Sequence, residues 1–145
     1  MTRVRLHLVA LIVVAAVALL AGSRSAHPTS AILYIPDAYY CLGEAYSHIA
    51  EDAVEADDYA TALEHYKLAY EAYSRTLEID RDHFEEEVET SLKYNYNNRL
   101  RQAKRDWDDA FYEQAEGHLR LAYAALPDSV APVKSIARMK MQMSN

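Results

Sequence analysis

Apolar and aromatic side chains recur along this chain at alternating steps of three and four residues, and that period commits it to helices burying one face each. Tyr39, Leu42, Tyr46, Ile49 and Ala53 form the first such stripe. Tyr59, Leu63, Tyr66, Tyr70, Tyr73 and Leu77 form the second, and Phe84, Val88, Leu92, Tyr96, Leu100, Ala103 and Trp107 the third. A fourth runs through Phe111, Ala115, Leu119, Ala122 and Leu126. Three glycines and four prolines in 145 residues leave little turn chemistry for a sheet, and the abundance of alanine, leucine, glutamate and tyrosine suits an all-α fold.

Polar residues punctuate the stripes where helix ends are needed. Asp37 is placed to cap a first helix reaching about Ala56, and Asp57 or Asp58 a second reaching Ile79. Asp82 with Glu85 three residues later makes a capping box for a third. The fourth is expected from about Asp109 to Leu126, where Pro127 stops it. Asp128 or Ser129 then caps a last helix carrying Val133, Ile136 and Met139 as a lid. Residues 37–145 are one domain by length, preceded by a linker over 26–36 that Pro28 and Pro36 stiffen.

Within the first two stripes, Tyr39-x-x-Leu42-Gly43-x-x-Tyr46 is followed by Ala62-x-x-x-Tyr66-x-x-Ala69. This resembles a tetratricopeptide repeat. In such a unit Gly43 and the alanines let two antiparallel helices approach closely. Tyr112-x-x-Ala115-x-x-x-Leu119-x-x-Ala122, ending in Leu126-Pro127-Asp128, is similar to the back half of a second unit. Ala62 and Ala115 lie 53 residues apart, against about 34 in the family, and Asn95 and Tyr96 stand where Leu and Gly are expected. The resemblance implies four to five helices in antiparallel hairpins, with the first helix of each repeat lining a groove that binds a protein partner. Carried over, the groove positions are Tyr40, Glu44, Ser47, His48 and Glu51, and in the second unit Lys93, Asn97 and Arg101.

Residues 1–25 form a separate object. Arg3 and Arg5 precede an uncharged apolar run from about Leu6 to Gly22, about 25 Å as a helix and slightly short of a bilayer core. The run reads either as a retained single-pass anchor or as a cleaved secretory signal. In both cases the arginines hold the N-terminus on the cytoplasmic side and send the domain across the membrane, to the periplasm or outside.

The single cysteine, Cys41, excludes an internal disulfide and is expected as a small buried thiol. Most of the twelve tyrosines sit at core spacing, whereas Tyr40 and Tyr94 fall off the stripes as contact candidates. Residues 37–90 hold sixteen acidic and three basic side chains, and residues 91–145 hold six acidic and nine basic ones. Glu44, Glu51 and Glu55 are expected along one exposed side of the first helix, contributing little to stability. The cluster Arg99, Arg101, Lys104 and Arg105 lacks interleaved aromatic platforms, so nucleic acid is not an expected partner.

Catalytic signatures are missing from the sequence: it holds no glycine-rich phosphate loop, no Gly-x-Ser-x-Gly and no Cys-x-x-Cys-His. Glu44, His48 and Asp52 share a helix face at metal-ligand spacing, but the Glu-x-x-His pairs of di-iron bundles do not occur. His65, His83 and His118 read as surface or half-buried residues. A non-enzyme without cofactor or small-molecule substrate is therefore expected. Three classes of function follow: a membrane-attached helical-repeat scaffold for protein partners, a small accessory subunit of a larger membrane complex such as a respiratory or photosynthetic one, and a four-helix ligand or metal sensor.

Overall fold

The computed structural model describes residues 35–143, all of whose regular elements are helical. α1 spans Ile35–Glu55, α2 Tyr59–Asp108, α3 Tyr112–Ala125 and α4 Ala131–Met143. No helix among the described residues is long and apolar enough to cross a membrane. The N-terminal hydrophobic segment expected over residues 1–25, and most of the linker, lie outside the described residues.

α2 consists of two helical arms joined at Asp80. Asp80 leaves helical geometry at φ −148° and ψ 77°, and the chain folds back there: Ala69 and Tyr73 of the first arm share a buried cluster with Val88 and Leu92 of the second. α1 packs on both arms. Glu44 and Glu51 reach Tyr73 and Tyr66 of the first arm, so α1 runs antiparallel to it. The contacts Glu44 with Ser91, Ser47 with Asn95 and Glu51 with Arg99 ascend together, so α1 runs parallel to the second arm. The expected five-segment order is therefore present, with the second and third segments merged across Asp80.

The helix ends differ in detail from expectation. Asp58 caps α2, its side chain accepting from the backbone N–H of Thr61 at 3.1 Å. The second arm is capped by Asp80 rather than Asp82: Asp80 Oδ1 accepts from the backbone N–H of His83 at 3.4 Å and meets its Nδ1 at 2.7 Å. Asp109 closes α2 instead of opening α3, whose N-cap Phe111 offers no side-chain acceptor. Both tight reversals use non-glycine residues in the left-handed region, Asp57 at φ 58° and Ala110 at φ 64°. Asp58 N–H to Ala53 C=O at 2.8 Å, and Phe111 N–H to Asp106 C=O at 2.7 Å, complete a Schellman pattern at each.

Small residues set the spacing of the core. On α1 the buried positions are Pro36, Gly43, Ser47, Ala50 and Ala53, while Tyr39, Leu42, Tyr46 and Ile49 of the expected stripe are half-buried. A Cβ on Gly43 would lie 2.6 Å from Tyr73 Cε1, so the glycine is what lets α1 seat on the ring. Cys41 is exposed, contrary to the buried thiol expected, because α1 turns its small-residue face inward and Cys41 points away from it. α4 packs through Ile136 and Met139 on Ala103, Ala115 and Leu119, but Val133 is 50 % exposed and takes no part in the lid.

Candidate binding groove

Between α1 and the second arm of α2 lies an open groove of about 520 Å³. α1 contributes Glu44, Ser47, His48, Glu51, Asp52 and Glu55, and the facing arm contributes Thr90, Ser91, Tyr94 and Asn95. Four of the eight positions expected at a partner site, Glu44, Ser47, His48 and Glu51, are thus brought together. Asn97 and Arg101 line the adjoining hollow with Tyr94, Leu100 and Lys104, and Tyr94 borders both. The remaining two line neither hollow: Tyr40 is half-buried against Tyr73 and Phe84, at ring-centroid distances of 5.8 Å, with its hydroxyl 3.5 Å from Ser91 Oγ at the groove's edge. Lys93 lies outside both hollows and pairs with Glu89 at 2.6 Å along its own helix.

The groove floor is a polar seam that the apolar stripes do not announce. Tyr73 donates its hydroxyl to Glu44, and Ser91 donates to the same carboxylate at 2.7 Å. Asn95, 4 % exposed, donates to Ser47 Oγ at 2.8 Å. Deeper in, Tyr66 donates to Glu51, whose other oxygen accepts from Arg99 at 2.8 Å. Burial raises the pKa of both tyrosines, and the carboxylate each one faces raises it further. The protons therefore stay on the phenols, which act as donors to Glu51 and Glu44.

These contacts correct two expectations. Glu44 and Glu51 are not free surface charges: each is fixed by two donors from α2, and of the three expected carboxylates only Glu55 is exposed without a partner among the described residues. Arg99, grouped by sequence with Arg101, Lys104 and Arg105, does not share their exposure. It is 8 % exposed and neutralises Glu51 in the interior.

Beyond Arg99 the seam reaches α3. His118, expected at or near the surface, is 4 % exposed; its Nε2 stands 3.2 Å from Tyr59 Oη and 3.4 Å from Asp106 Oδ2. Burial lowers its pKa, the Arg99 cation adds to that shift, and Asp106 opposes it. We assign the neutral Nε2–H tautomer, since that nitrogen faces two oxygens while Nδ1 is buried without a partner. Arg99 Nε and Asp106 Oδ2 are likewise buried without a hydrogen bond. Ser91, Asn95, Arg99, Asp106 and His118 are the residues that sequence reasoning missed. The available signal was spacing: Val88, Leu92, Asn95, Arg99, Ala103 and Asp106 recur at steps of three and four and are all buried, so three polar residues occupy core positions.

Among the described residues no group of three or more His, Cys, Asp and Glu side chains is gathered so as to hold a metal ion. Glu44, His48 and Asp52 share the α1 face, yet Glu44 is engaged by Tyr73 and Ser91 while His48 and Asp52 are exposed. The groove can supply unpaired carboxylates, an imidazole, hydroxyls and an aromatic ring to a polar chain laid in it. No family model, curated protein or solved structure matches this chain.

Proposed function

We propose that the chain is a membrane-attached helical scaffold that holds a protein partner in the groove between α1 and the second arm of α2, on the non-cytoplasmic side, without catalysing a reaction. The observation that carries this reading is the groove itself, in which four positions picked out by the tetratricopeptide resemblance converge on one surface. The alternation of helices supports it too: α1 antiparallel to one arm of α2 and parallel to the other is how successive hairpins stack. The tethering follows from the uncharged run behind Arg3 and Arg5. A hydrogen-bonded floor under exposed rim charges suits recognition, because the floor residues lose little entropy when a partner arrives.

Site-specific photo-crosslinking in native membranes tests the reading. A photoreactive residue at His48, exposed in the groove, is expected to capture a discrete partner, and one at Glu71, exposed on the first arm of α2, is not. Equal adducts from both positions, or none from His48, would refute it. A second reading, an accessory subunit covered by neighbours in a larger membrane complex, is favoured by the apolar side chains left open at α4: Val130, Val133 and Met141 are 63 %, 50 % and 64 % exposed. Purification from native membranes in mild detergent separates the two. A stoichiometric complex cross-linked through Met141 but not His48 supports the accessory subunit.

A further inference from the structure

The face that carries the groove continues past it. Tyr94 lies at the crest of the second arm of α2, 62 % exposed, and borders the hollows on both its sides. The far hollow is lined by Asn97, Leu100, Arg101 and Lys104. Leu100 and Lys104 also line a third hollow, whose opposite wall is Ser135, Arg138, Met139 and Gln142 of α4. The three hollows thus form one continuous track running from α1, across the second arm, to α4.

Charge changes sign along that track. At the α1 end stand Asp52 and Glu55, both exposed and without an ion-pair partner among the described residues, beside Glu44 and Glu51 with their bound carboxylates. At the other end stand Arg101, Lys104 and Arg138. Arg101 hydrogen-bonds the neutral Asn98 and has no ion-pair partner among the described residues. Lys104 pairs with Asp108, the one carboxylate lining that end, but both members are more than half exposed, and such a pair exchanges readily with an incoming group. Opposite walls of unlike charge on one surface cannot serve a uniformly charged ligand, because whatever one wall attracts the other repels.

From this we infer that the track takes an extended, charge-segregated polypeptide segment laid across the helices, its lysine or arginine end over Asp52 and Glu55 and its carboxylate end over Arg101, Lys104 and Arg138. Tyr94 between the walls offers an aromatic ring for the middle of the segment to pack on. The inference rests on the proposed partner groove and adds the chemistry of the partner. Two helix-to-helix steps of about 10 Å, at about 3.3 Å per extended residue, correspond to roughly six residues.

Fluorescence anisotropy on the purified full chain tests it with synthetic peptides of one composition. One series carries two lysines and two glutamates in blocks at opposite ends of a six-residue segment, in either order, and the other alternates them. One of the two block orders is expected to bind about fivefold more tightly than the alternating peptide at low salt, the ratio shrinking as salt rises. Asp52→Lys with Glu55→Lys, or Arg101→Glu with Lys104→Glu, is expected to remove that preference. Reversing both walls together is expected to restore it for the opposite block order. Alternating and block peptides binding alike, or a preference that survives reversal of one wall, would overturn the inference. If His48 captures a partner in membranes while no block preference exists, the charge reading fails and the groove reading stands.

Discussion

Replacing Gly43 by alanine adds one methyl group where α1 seats on the ring of Tyr73. That Cβ would stand 2.6, 2.7 and 3.0 Å from Cε1, Cδ1 and Cγ of Tyr73, about 1 Å inside an ordinary carbon contact. The ring has nowhere to go. It is fully buried, shares a cluster with Ala69, Val88 and Leu92, and is held at its far end by the hydroxyl bond to Glu44. Either α1 lifts, opening the seam with Ser91 and Asn95, or the ring tilts and gives up its bond to a carboxylate. Overpacking of this kind costs about 1–3 kcal/mol, and the rigidity of the ring puts Gly43→Ala at the upper end. Alanine returns about 1 kcal/mol through its helix propensity, so a net loss of about 2 kcal/mol is expected. Urea melts of the full chain measure it, with Gly117→Ala as the control. A Cβ there meets the Tyr59 ring at 3.1 Å, but that ring is only half-buried and can shift, so the effect should be within about 0.5 kcal/mol of zero. Tyr73→Leu removes the obstructing ring, and in that background Gly43→Ala should cost much less, a coupling that a double-mutant cycle reads directly. Destabilisation by Gly43→Ala that is unchanged in the Tyr73→Leu background, or no destabilisation at all, would refute the packing argument.

Glu51→Gln removes the counter-charge of Arg99, whose side chain is 10 % exposed against 28 % for Glu51; breaking a fully buried pair costs about 3–5 kcal/mol, and the partial exposure here reduces the expected loss to about 2–3 kcal/mol in a urea melt. Ala110→Gly relieves a left-handed alanine at φ 64° in an exposed turn and should stabilise by about 1 kcal/mol, seen as a raised melting temperature. The lowered pKa of buried His118 makes its charged form unfavourable in the fold, so the unfolded chain binds more protons and stability should fall as pH drops below about 6.5, the ordinary histidine value. Melting temperatures between pH 7.5 and 5 should show this slope in the wild type and a shallower one in His118→Gln. The exposed His83 is shifted the opposite way by Asp80, and it favours the fold as pH falls, so its contribution cannot imitate that of His118.

The helices were legible because one residue type in each stripe is large and apolar, and period survives small errors of phase. The break near Asp80 was legible for a different reason: Asp80 and Asp82 stand two residues apart, and either side chain can cap the N-terminus of the arm that follows. Which one caps the next arm was not, since the choice depends on the hairpin that brings Val88 under Tyr73. Gly43 was legible because only a close approach explains a glycine in a strong helix stripe. The seam was not. Tyr96, Leu100 and Trp107 drew the third stripe toward themselves, yet they are half-buried, and the inward face belongs to Asn95, Arg99 and Asp106. A buried arginine reads as a surface residue until its partner is known, and its partner here is 48 positions away on another helix.

That displacement of the stripe has a physical reason. Tyr66 and Tyr73 are fully buried, and a buried phenol must donate to something. Carboxylates on α1 accept both hydroxyls, and their charge must be met in turn, which Arg99 does for Glu51 and Ser91 and the phenol dipole do for Glu44. Polar residues at core positions are therefore a consequence of building the interior from tyrosines rather than leucines. Replacing one member with an apolar residue strands the others, so the seam holds as a unit. It also fixes the register of α1 against the second arm of α2, and with it the separation of the two walls that a partner would have to span.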